Sequence, residues 1–150
     1  MAVKAQLVIR IAMLVGGALT ALIGVGHIFM PTSGYGSGVA AAMDPIVRDH
    51  FYYLGTYAIC AFLFSFAALS IYFSGFESPR ASVIVCSVLA AFWIARVVLE
   101  VRYPVELNIF FLGNPHQVLL PVIAFLAFIY SKAAVKGWIS LSPHRTRGAA

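Results

Sequence analysis

Charge is what this chain has least of. Of its 150 residues only 10% are Asp, Glu, Lys or Arg, and five are acidic. A soluble domain carries about 25% charged residues, so this chain is too poor in ionisable side chains to cover a water-facing surface. With 62% hydrophobic residues and a mean hydropathy of +0.95, most of its surface suits lipid. Cysteine is scarce too. Cys60 and Cys86 fall inside apolar runs and lack CxxC spacing, so they read as small packing residues and not as a redox pair. HExxH, HxxxH and ExxH spacings are all missing, which removes any local metal signature. The basic residues border apolar runs and form no stripe with exposed aromatics, so no nucleic acid is expected as a partner. The length leaves room for a single transmembrane domain over 1–150.

What is present is four long apolar runs, read as spans at about 7–30, 50–73, 79–101 and 115–131, followed by a polar basic tail over 132–150. The first run follows Lys4 and Arg10 as a secretory signal would. It is longer than a signal h-region and three similar runs follow, so it reads as a retained span. Pro31 and the Gly/Ser-rich segment 32–38 stop it, and Gly16, Thr20 and Gly24, with Gly17 and Ala21 beside them, allow close helix approach. Asp44-Pro45, Ser78-Pro79 and Asn114-Pro115 each place a capping side chain before a proline at the first helical position. The turn 45–49 is too polar for hydrocarbon, and Phe51, Tyr52, Tyr53 and Tyr57 follow it as an interfacial belt. Pro121 is expected to kink the fourth helix. The connection 102–113, apolar over 107–112 apart from Asn108, is expected to lie on or dip into the interface.

The fold class expected is an all-α integral membrane four-helix bundle of up-down topology. Lys4, Arg10, Arg80, Lys132, Lys136, Arg145 and Arg147 then share one side, against Arg48 and Arg102 offset by Asp44, Asp49 and Glu106 on the other. The positive-inside rule puts both termini in the cytoplasm, and the location expected is a bacterial cytoplasmic (inner) membrane.

This threading brings His27, His50, Glu100 and His116 to the non-cytoplasmic face, with Asp49, Asn108, Asn114 and Gln117 nearby; the other face has only Glu77 close to a span end. Each histidine has a structural alternative: His27 as a cap on its helix dipole, His50 as an interfacial residue, His116 as a donor to a loop carbonyl. Arg96 and Glu100 are the most telling, an i,i+4 pair inside a span. A charge there costs about 2.5–3.5 kcal/mol even on insertion scales, and ionisable residues in spans are functional by default.

Two chemistries suit the set. His27, His50, His116 and Glu100 could ligate zinc, iron or copper, or two imidazoles could grip a haem iron. Alternatively, an amphipathic ring such as a quinone could be held by His50, His116 and Arg96. Tyr53 and Tyr57 would then extend the site into the bilayer, with Trp93 as a stacking wall; a plain packing stripe is the alternative for these three aromatics. In either chemistry Glu100 supplies charge or accepts a proton, and Arg96 sets its state. The cofactor expected is therefore a transition metal, haem or quinone.

The layout of four short spans, a basic residue opening the first (Arg10), and Gly24-Val25-Gly26-His27 before Pro31 resembles the DoxX-like small membrane proteins. The resemblance rests on the first span and the overall layout. It implies a redox setting, because some members are tied to quinone-linked oxidation, and fold likeness carries no function by itself. The rival expectation is a non-catalytic accessory or scaffolding subunit of a larger membrane complex, or a homo-oligomer, with the Gly/Ala stripe of span one and the aromatic faces as its interface. A transporter is disfavoured because four spans enclose little aqueous path.

Overall fold

The computed structural model describes residues 3–29, 43–75, 78–104 and 115–142. They form four helices: α1 (Val3–Ile28), α2 (Pro45–Ser74), α3 (Pro79–Arg102) and α4 (Pro115–Leu141), with no strand among the described residues. Each helix is long and apolar enough to cross a membrane, with mean hydropathy of 1.9 to 2.3 over its most apolar stretch. Large apolar side chains such as Leu22, Phe62 and Ile139 point outward, as a lipid-facing surface requires.

The helix starts follow their caps unequally. Asp44 accepts from the backbone N–H of Ile46 at 2.9 Å and of Val47 at 3.3 Å, with Pro45 opening α2. Ser78 sits at the N-cap of α3, but its hydroxyl caps nothing. Ser82 links the end of α2 to the start of α3 instead: its N–H donates to the Ser78 carbonyl and its hydroxyl reaches the Phe73 carbonyl at 3.1 Å. The expectations for the segment 30–42, Glu77, the apolar run 107–112, the Asn114 cap and the tail beyond 142 fall outside the described residues.

The fourth span was expected to end at 131, with a polar tail behind it. The helix instead runs through Pro121 and on to Leu141. Ala133, Ala134 and Gly137 continue its buried face past Lys132, and the Trp138 indole donates to the Ser87 hydroxyl of α3 at 3.0 Å. Lys132 and Lys136 stay exposed, the Lys132 ammonium lying over the Phe128 ring.

α1 packs closely on α2, and α3 on α4; α1 and α4 join the two pairs, while α2 and α3 touch sparingly. Close approach explains two glycines. A Cβ on Gly16 would run into the Tyr130 ring, and one on Gly137 into Val83. Gly17 and Gly24 are buried against α2, so the small-residue stripe of α1 is used inside this chain. Three mid-bundle hydroxyls are satisfied within the bundle: Ser70 donates to the Met13 carbonyl at 2.8 Å and bonds the Tyr130 hydroxyl, and Thr20 donates to the Gly16 carbonyl. Both cysteines are free, and Cys86 is buried in the core.

Candidate functional site

The last turns of α3 carry the chemistry. Trp93 and Glu100 are seven residues apart, nearly two helical turns, and so share a face, with Arg96 between them. Glu100 is 0% exposed. One carboxylate oxygen meets the Arg96 guanidinium at 2.6 Å and the other meets His116 Nδ1 at 2.9 Å. His116 comes from the first turn of α4, on the same face as the buried Ile123. Facing a carboxylate, its Nδ1 is the donor. The Arg96 cation, itself 32% exposed, offsets the fully buried Glu100 anion.

Arg96 also borders a partly open cavity of about 280 Å³ lined by residues of all four helices. Its wall is mainly apolar, from Ile23 of α1, Ile59, Phe62 and Leu63 of α2, Phe92 of α3, and Leu119 and Ile123 of α4; its polar members are His27, Trp93 and Arg96. His27 Nδ1 donates to the Ile23 carbonyl at 2.8 Å, so the ring caps its own helix and keeps Nε2 as an acceptor. Trp93 is 2% exposed, and its indole N–H has no acceptor among the described residues. A buried donor left unmade costs about 1–3 kcal/mol, so one in a cavity wall points to a missing acceptor.

The expected site residues therefore divide. Arg96, Glu100 and His116 are bonded together, and His27, Trp93 and Arg96 meet around the cavity. His50, Tyr53 and Tyr57 join neither group: all three are exposed, Tyr57 by 73%, and the His50 ring lies edge-on to Phe51. The reason is helical register. The buried stripe of α2 is Leu63, Ala67, Ser70 and Ser74, and at about 100° per residue His50 and Tyr57 lie about 120–140° round from Leu63.

The four residues expected as metal ligands, His27, His50, His116 and Glu100, are consequently not assembled. No three of His, Cys, Asp and Glu cluster to hold a metal among the described residues. His50 faces outward, and both oxygens of Glu100 are engaged by Arg96 and His116. Asp49 pairs with Arg48 on the surface, and Gln117 is exposed. The sequence reading missed the apolar wall, above all Phe62 and Phe92; a phenylalanine-rich α2 was the sequence signal for the first, and Phe92 of α3 had none beyond its apolar run.

Chemically, the cavity is a mainly apolar space bordered by three polar side chains, Arg96, Trp93 and His27. That suits a ring bearing carbonyl or hydroxyl groups. Compared with models of protein families, with curated proteins and with solved structures, the chain matches none.

Proposed function

We propose that this chain is a small polytopic membrane protein that binds a quinone-class ring in the cavity between its helices, in a redox-associated role. The observation carrying this reading is the buried, unpartnered Trp93 N–H in a mainly apolar cavity wall that also holds Arg96 and His27. Arg96 and Trp93 donate to a ring carbonyl, and His27 Nε2 accepts from the hydroxyl of the reduced form. The Glu100 carboxylate holds Arg96 at the cavity edge, and His116 links that carboxylate to the half-exposed rim.

Two features favour a quinone over a metal or haem. The metal ligand set is not assembled among the described residues, and about 280 Å³ suits one ring head better than a macrocycle. The resemblance to DoxX-like proteins supports the redox setting by analogy alone.

The threading we infer is up-down. It is supported by the pairings of Gly16 with Tyr130, Phe66 with Phe92 and Glu100 with His116. The excess of Lys and Arg on the side of the termini supports a cytoplasmic location for both, in an inner membrane, with the site at the opposite face. The rival reading, an accessory subunit of a larger complex or a homo-oligomer, loses one of its surfaces because the α1 stripe is buried within the chain. It keeps the outward row of His50, Tyr53 and Tyr57.

The test is solvent extraction of the protein purified in mild detergent, with absorption spectra and elemental analysis. Near-stoichiometric quinone without haem absorbance or bound metal is expected. A stoichiometric transition metal or haem refutes the ring reading, and a ligand-free protein that co-purifies with large partners favours the accessory one.

A further inference from the structure

The cavity's walls are not alike. α1–α2 and α3–α4 are tightly packed pairs, while α2 and α3 meet only sparingly. Their side-chain contacts include the Ser82 hydroxyl on the Phe73 carbonyl near the joined ends and, farther along, the Phe66 and Phe92 rings with centroids 4.7 Å apart. Beyond that ring pair the cavity separates the two helices, with Ile59 and Phe62 on the α2 side and Phe92 and Arg96 on the α3 side. These α2 residues line the cavity and also face outward, Phe62 being 62% exposed and Ile59 42%. The α2 side of the seam is thus apolar where it meets lipid. Toward the helix ends the polar groups take over: the Arg96–Glu100–His116 cluster ties α3 to α4, and His27 sits on α1.

From this asymmetry we propose that the ligand is lipid-borne. It enters the cavity sideways from the bilayer core between α2 and α3, and its alkyl or isoprenoid tail stays in that seam while the ring lies among His27, Trp93 and Arg96. This rests on the ring-binding reading above and adds the route and the tail. An apolar tail directed past Arg96 and Glu100 would have to desolvate charge, whereas between Phe62 and Phe92 it meets only hydrocarbon. The Phe66–Phe92 contact is the floor of the opening.

The experiment uses the full chain with Trp138→Phe, which leaves Trp93 as the one indole of the two in the sequence, in phosphatidylcholine nanodiscs. One probe is a decyl-substituted benzoquinone carrying a diazirine on its tail; the other is the tail-less parent ring. Both are expected to quench Trp93 fluorescence. Irradiation is expected to place the label on residues 59–66 of α2 and 85–96 of α3, with competition by unlabelled decyl-benzoquinone. Narrowing the rim with Ile59→Phe is expected to slow quenching by the tailed probe about tenfold, and that by the bare ring much less.

Quenching with label confined to the outward faces of α1 or α4, or to helix ends away from the seam, overturns the lateral route and leaves the ring site standing. Equal slowing of both probes with label off the seam does the same. Should neither probe quench Trp93, in a protein whose helical content and thermal transition are unaltered, the ring site itself fails and the route falls with it.

Discussion

The start of α2 and the end of α3 lie toward the same end of the bundle and carry comparable chemistry, yet they face opposite ways. On α3, Cys86, Trp93 and Glu100 recur every seven residues and all are buried. On α2, His50, Tyr57 and Phe64 recur at the same interval and all are exposed. Depth along the helix therefore did not select the site. Rotation about the helix axis did, because a shift of about 100° per residue decides whether a side chain meets three helices or lipid.

The largest test of this contrast is Glu100→Leu. It leaves the Arg96 cation, 32% exposed, without its carboxylate, so the loss should fall toward or below the lower end of the about 3–5 kcal/mol for breaking a fully buried pair, measurable as a fall in thermal or denaturant midpoint in detergent. Glu100→Gln should cost less, but more than a surface change. The double variant Arg96→Leu/Glu100→Leu should regain most of the stability while losing the ligand, which separates folding from binding.

Glycines probe the same contrast sterically. Gly137→Ala presses a methyl into Val83, and overpacking of this kind costs about 1–3 kcal/mol. Gly55→Ala on α2, with nothing within 4 Å of the added carbon, should be neutral or stabilising by up to about 1 kcal/mol. Equal midpoints for the two variants would mean that the α3–α4 contact is looser than described.

Trp93→Phe keeps an aromatic wall and removes only the unpartnered N–H. Stability should hold, while quinone affinity falls about tenfold, the worth of one hydrogen bond; titration by isothermal calorimetry reads it directly. The smallest effects belong to the outward row. His50→Ala and Tyr57→Ala should each move stability by about 0.5 kcal/mol or less and leave ligand retention unchanged. Loss of ligand from His50→Ala would break the division between the two helices.

Much of the architecture was legible because it is local. Four apolar runs, the Asp44-Pro45 start of α2 and the Arg96–Glu100 spacing each follow from residues within a turn or two of one another. The end of α4 was not legible from hydropathy: Lys132 and Lys136 mask a buried face of Ala133, Ala134 and Gly137, which needs Val83 opposite to make sense. His50, Tyr53 and Tyr57 were grouped with the site by their depth, and register against Leu63, Ala67 and Ser70 was the signal that could have set them apart.

By itself the amino-acid sequence determined the solvent, the helices and the carboxylate–guanidinium pair, since hydropathy, capping and i,i+4 spacing act at short range. Only the tertiary structure decided that His116 meets Glu100 and that His27, Trp93 and Arg96 share one cavity. Those meetings depend on how each helix is turned about its axis, and that rotation is set by contacts between distant residues, such as Gly16 with Tyr130 and Gly137 with Val83.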